Sequence, residues 1–161
     1  MMKTVIVYGS TTGNCQKAAE AIAEAIGGAD LQEVSGVDFS TLDHDLIILG
    51  SSTWGVGDLQ DDWEGKISEL EDADFGDKKI ALFGTGDQYG YSSSFVDAIG
   101  KIYNALKNKD NVVGRVDVEG FSFDSSEAVV DGKFVGLPLD YDNDEAKAEE
   151  DIASWVEKLK G

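Results

Sequence analysis

The chain is 161 residues long, 42% hydrophobic and 28% charged, which suits one domain able to bury a core. Thirty-two acids against thirteen bases, with Arg115 the only arginine, leave a formal charge of −19; such a field repels nucleic acid and anionic membrane and favours basic partners. Cys15 is the only cysteine and His44 the only histidine, so an internal disulfide and a zinc or iron–sulfur site have no basis. The N-terminus lacks a secretory cleavage pattern, and no stretch nears the ~20 apolar residues of a membrane span. A cytoplasmic, monomeric, single-domain protein without membrane insertion is expected.

In chain order, "TVIVYG" (4–9) comes first, a continuous apolar run of the kind found in parallel strands covered on both faces. Residues 14–26, "NCQKAAEAIAEAI", have helical spacing that aligns Ala18, Ala21, Ile22, Ala25 and Ile26, and Gly27-Gly28 stops that helix. "DLQEV" (30–34) reads as a weaker strand, and His44 as a surface residue ahead of the second continuous run, "LIILG" (46–50). Helical spacing returns over 61–70, with Trp63 in the core; "IALFG" (80–84) is the third run, and 93–107 the next helix. "NVVGRVDV" (111–118) is a weaker strand. Residues 119–144 have aromatics and an Asp131-Gly132 turn but no helical period, so they form an excursion within or beside the last strand. Pro138 lacks an N–H and marks an edge or strand end. "DEAKAEEDIASWVEKLK" (144–160) closes the chain as a helix with Ile152, Trp155, Val156 and Leu159 inward. This alternation predicts an α/β fold, a doubly wound parallel sheet with helices on both faces.

Ligands of such sheets bind beyond the carboxyl ends of the strands, where the strand order reverses. That singles out loops 9–15, 51–59 and 85–92, all rich in Gly, Ser, Thr and aromatics. "YGSTTGNC" offers backbone N–H groups, hydroxyls and a helix N-terminus, which suit a phosphate; a simple N-capping turn needs fewer hydroxyls. It is neither a Walker loop nor the dinucleotide fingerprint. In "SSTWGVGDL", Trp54 is either packed under a lid or stacked on a flat ligand. "GTGDQYGY" adds Asp87, Tyr89 and Tyr91 at the end of the next strand. Two aromatic loops beside a phosphate loop suit a planar, phosphorylated ring system.

Taken together, "GSTTGN", "SSTWGVGDLQDDWEG", "FGTGDQYGYSSSFVDAIG" and "DSSEAVVDGKFVGLPLD" resemble flavodoxins of the long-chain type, in order and over essentially the whole chain. The resemblance implies a flavodoxin-like five-stranded parallel sheet in order 2-1-3-4-5, with FMN bound noncovalently at the switch point and 119–139 as the long-chain insertion. It implies that Ser10, Thr11, Thr12, Gly13, Asn14 and Cys15 cradle the FMN phosphate. Thr53, Trp54 and Gly55 would lie on the inner side of the flavin, and Thr85, Gly86, Asp87, Gly90 and Tyr91 on the other. Tyr91 would stack on the ring and Asp87 approach its pyrimidine edge; Ser52 and Ser94 complete the cofactor-binding set. Cys15 stands where the family usually has threonine, and a thiol is the poorer donor. Its pKa is pulled down there by the helix N-terminus and up by a phosphate dianion.

The function so implied is low-potential, one-electron transfer between the semiquinone and hydroquinone of FMN, with no residue acting as acid, base or nucleophile. The Gly55 carbonyl is expected to swing toward flavin N5 on reduction. Asp58, Asp61, Asp62 and Asp87 are expected to oppose the anionic hydroquinone. One carboxylate ~8 Å away contributes about 2 kcal/mol at an effective dielectric of ~20. The same rim would steer basic-faced redox proteins, a reductase and an electron acceptor. The alternative is an FMN-dependent quinone or NAD(P)H reductase, against which stand Trp54 and Tyr91 covering both ring faces.

Overall fold

The computed structural model describes residues 3–9, 14–54, 58–59, 61–90, 93–107, 109–119, 121–141 and 143–160, without the side chains of Thr53, Trp54, Asp58, Leu59, Asp61 and Lys160. The continuous apolar runs become the middle of a parallel sheet, where both faces of each strand are covered. In chain order the elements are β1 (Thr4–Gly9), α1 (Asn14–Ile26), β2 (Asp30–Glu33), β3 (Leu46–Trp54), β4 (Asp58–Leu59), α2 (Asp61–Glu64), α3 (Ile67–Asp72), β5 (Lys79–Thr85) and α4 (Asp97–Ala105). Then follow β6 (Val112–Val113), β7 (Val116–Asp117), β8 (Val129–Val130), β9 (Lys133–Phe134), β10 (Leu137–Leu139) and α5 (Glu145–Lys160).

The strands order themselves β10-β5-β3-β1-β2, all parallel. Along the outer edge of β5, β6 pairs at Ile80 and Ala81, and β10 pairs farther on, at Phe83 to Thr85. The fifth sheet position is therefore shared by two short strands, and the order is the expected 2-1-3-4-5. Pro138 sits in β10, which pairs only with β5, so its missing N–H costs no central ladder bond. Alternate residues of each strand feed two cores. Val5, Val7, Ile47, Leu49, Ile80 and Leu82 pack with Trp63, Leu70 and the inner face of α4. Ile6, Ile48, Ala81 and Phe83 pack with α1 and α5, including the expected Ile152, Trp155, Val156 and Leu159. Each such aliphatic side chain contributes about 1.5–3 kcal/mol by leaving water.

Several elements depart from their sequence reading, each for a local reason. The strand expected over 111–118 breaks at Gly114, whose φ is +77°. The Trp155 Nε1–H donates to the Gly114 carbonyl at 2.8 Å, and a Cβ on Gly114 would stand 2.6 Å from that nitrogen. After the break the chain forms a separate antiparallel sheet, β7-β9-β8. The Asp131-Gly132 turn joins β8 to β9 with φ of +55° and +82°, as a two-residue hairpin with right-handed twist requires. The helix expected over 61–70 is two, separated by a turn at Gly65 and Lys66, where the Lys66 Nζ donates to the Val37 carbonyl at 3.0 Å. The helix expected over 93–107 begins only after Val96, which is left-handed at φ +47°. The buried face of α1 is Cys15, Ala18, Ala19 and Ile22, so Ala25 is exposed and Ala21 and Ile26 only half-buried. His44 is not on the surface: it is 6% exposed, with Nε2 2.8 Å from Asp30 Oδ2, and ties the start of β2 to the chain entering β3.

Candidate functional site

Register brings the three loops together. Gly9 lies beside Ser51, Ser51 beside Gly84, Ser52 beside Thr85, and Thr85 beside Leu139. The loops after β1, β3 and β5 therefore leave the same edge of the sheet, at the carboxyl ends of adjacent strands, where β1 and β3 diverge to opposite sides. A groove of about 750 Å³ exists at the other end, lined by Asp45 and residues 74–79. It consists of turns ahead of β5 and has none of the aromatic or hydroxyl-rich loops.

Of the expected site residues, Ser10, Thr11, Thr12, Gly13, Gly55 and Tyr91 lie outside the described residues, and for Thr53 and Trp54 only the backbone is described. That backbone runs to the end of β3 and turns back through β4, pairing Thr53 with Leu59 and Trp54 with Asp58. Asn14 and Cys15 form the first turn of α1. Cys15 is completely buried in the α1/α5 core, and burial pushes its thiol pKa up to about 12, against a smaller lowering by a backbone hydrogen bond at Gly9. The thiol is protonated and inward, so its side chain is turned away from the N-terminal end of α1 into the core. Ser52, Thr85 and Ser94 are all buried. Thr85 ends β5, and Ser94 lies in the segment that leads into α4.

Asp87 folds its carboxylate back on its own loop. Its Oδ1 accepts from the Gly90 N–H at 2.7 Å, the Tyr89 N–H at 3.0 Å and the Asn143 Nδ2 at 2.7 Å. These donors, Gly90 first and Asn143 next, hold the carboxyl pKa below its ordinary value. A Cβ on Gly90 would fall 2.6 Å from Asp87 Oδ2, so any other residue there would have to push this carboxylate aside. Gly86 donates its N–H to the Leu139 carbonyl at 3.0 Å, closing the loop onto β10.

The sequence reading did not single out the residues that hold this loop. Gln88, 5% exposed, donates its backbone N–H to Asp140 Oδ2 at 3.2 Å and accepts the Ser122 N–H on its side-chain oxygen at 2.7 Å. Ser125 Oγ donates to the Ser93 carbonyl at 2.7 Å, Ser126 Oγ to the Phe95 carbonyl, and the Glu127 N–H to Asp97 Oδ1 at 2.7 Å. Burial raises the pKa of Asp97. The segment between β6 and β10 thus braces loop 86–97. Trp63, in α2, donates its Nε1–H to the Gly50 carbonyl at 2.6 Å. No local signal marks these contacts, since the partners lie 13 to 52 residues apart. Among the described residues no group of three or more His, Cys, Asp and Glu could hold a metal ion. No helix there is long and apolar enough to cross a membrane.

A family model described as Flavodoxin matches residues 6–155. A flavodoxin of Nostoc sp. is 42% identical over 162 residues, covering 98% of this chain and 95% of its own. One from Helicobacter pylori is 41% identical, covering 100% and 98%. The crystal structure of a Fusobacterium nucleatum flavodoxin bound to flavin mononucleotide superposes with a TM-score of 0.92 at 26% identity, covering 99% of this chain and 98% of that one.

Proposed function

This chain belongs to the flavodoxin family, and from that premise we propose that it is a one-electron carrier with noncovalently bound FMN, low in potential and without substrate turnover of its own. The observation that carries the reading is the convergence of the loops after β1, β3 and β5 on one sheet edge, with the buried Thr85 at the end of β5. The donor set fits a phosphorylated ring: hydroxyls and backbone amides at a helix N-terminus for the phosphate, and aromatic loops for the ring.

Bound FMN supplies the redox chemistry by taking up and releasing single electrons. Residues 10–13 with the backbone of Asn14 and Cys15 would hold the phosphate at the N-terminus of α1, using neutral donors and the helix dipole. Thr53, Trp54 and Gly55 would lie on one side of the ring and Thr85, Gly86, Asp87, Gly90 and Tyr91 on the other, with Ser52 and Ser94 completing the set. Asp87 acts on its loop rather than through a free carboxylate, since its Oδ1 already accepts three N–H donors. Residues 58–64 and 87 supply an acidic rim that opposes added negative charge on the ring and steers basic-faced redox partners by long-range attraction. Residues 119–139 would be the long-chain insertion, with Ser122, Ser125, Ser126 and Glu127 bracing Gln88, Ser93, Phe95 and Asp97.

The test is a visible spectrum of the purified protein with added FMN, followed by a reductive titration. One equivalent of bound flavin with two separated one-electron steps is expected. No flavin uptake refutes the cofactor, and NADH-driven quinone turnover without an added reductase refutes the carrier role.

A further inference from the structure

Asn143 joins two carboxylates that come from different parts of the chain. Its Nδ2 donates to Asp87 Oδ1 and to Asp140 Oδ2, both at 2.7 Å, and its backbone N–H donates to Asp140 Oδ1 at 3.1 Å. One amide NH₂ has two hydrogens, so each carboxylate receives one. Asp140 is buried and also accepts the Gln88 N–H. Asp87 also accepts the N–H groups of Tyr89 and Gly90. With both oxygens 2.7 Å from one nitrogen, the two carboxylates stand within about 5.4 Å of each other, close enough to repel strongly without a donor between them.

We propose that Asn143 is a positioning residue for the flavin site: its side-chain amide clamps Asp87 to Asp140 and so holds loop 86–90 closed against the end of β10 and the start of α5. The role rests on the cofactor reading above. Asn143 is exposed and outside both cores, so replacing it leaves the sheet intact. Removing the amide leaves two like charges facing each other, and the loop that forms one wall of the site swings outward. An aspartate there adds a third carboxylate to the pair. A glutamine keeps both N–H donors on a longer arm.

The experiment compares wild type with Asn143→Ala, Asn143→Asp and Asn143→Gln. It measures FMN and riboflavin dissociation constants by flavin fluorescence, and apo-protein thermal midpoints and Gly90 amide exchange by NMR. Asn143→Ala should weaken FMN and riboflavin alike by about 10-fold, Asn143→Asp by more, and Asn143→Gln should return affinity to within about threefold of wild type. Gly90 exchange should quicken in Asn143→Ala while the apo midpoint stays within about 2 °C. Adding Asp87→Asn to Asn143→Ala should recover part of the lost affinity by removing the repulsion. Ala and wild-type affinities within twofold, unchanged Gly90 exchange, or a loss confined to FMN and absent for riboflavin would each overturn the proposal. Wild-type protein that binds neither flavin refutes the cofactor reading itself, and the proposal with it.

Discussion

Alkylation of Cys15 in the apo-protein reports directly on how the first turn of α1 is built. The thiol is fully buried with its pKa pushed up to about 12, so at pH 7.5 about 3 in 10⁵ molecules hold a thiolate. A free cysteine of pKa about 8.5 is about a tenth ionised there, some 3,000-fold more. Thiolates of higher pKa are intrinsically better nucleophiles, and a Brønsted slope of about 0.4–0.5 recovers about 1.5 of those 3.5 decades. Ionisation alone therefore slows the reaction about 100-fold, and burial slows it further by requiring local opening. The assay is iodoacetamide modification followed by mass, on native apo-protein and in unfolding urea, from pH 7 to 9. The native protein should react at least 100-fold more slowly. A native rate within 10-fold of the unfolded one refutes the inward placement of the thiol, and with it the argument that this position meets a phosphate by backbone alone.

Trp63→Phe removes the donor to the buried Gly50 carbonyl and should cost about 2–3 kcal/mol in urea unfolding; a loss below about 0.5 kcal/mol counts against that bond. Gly100→Ala should destabilise by about 1–3 kcal/mol although alanine favours helices, because its Cβ would meet the Glu127 carbonyl at 2.3 Å; a stabilised variant shows that α4 and residues 126–128 can separate freely. Asp87, whose pKa the Gly90 N–H lowers, contributes stability that is present above the ordinary carboxylate pKa of about 3.9 and is lost as pH falls through its lower folded value. Asp97, raised by burial, acts in the opposite sense, favouring the fold when protonated and losing that contribution as pH rises through its folded value. Asp87→Asn should therefore flatten the acid limb of stability against pH below about 4; parallel wild-type and variant curves contradict this. FMN at 100 times its dissociation constant should stabilise the fold by about 2.7 kcal/mol, and a thermal midpoint insensitive to FMN is incompatible with binding to the folded state.

Continuous apolar runs with period-free burial sufficed to locate β1, β3 and β5, since a strand covered on both faces must be apolar throughout. The inward face of α5 and the Asp131-Gly132 hairpin were equally legible, because helical spacing and a turn residue's tolerance of positive φ are local properties. The glycine and hydroxyl content of the three loops, together with the family resemblance, likewise marked the candidate site. Tertiary structure decided what depends on distant partners. His44 is buried because Asp30 of the neighbouring strand receives it. The last strand splits because Trp155 of α5 reaches the Gly114 carbonyl. Cys15 turns inward because the packed face of α1 is Cys15, Ala18, Ala19 and Ile22 rather than the stripe continued by Ala21, Ala25 and Ile26. The clasp of Asp87, Asn143 and Asp140 spans 56 residues of sequence. A side chain's hydrogen-bonding capacity is written in its residue type, but its partner is set only when packing brings two remote segments within 3 Å.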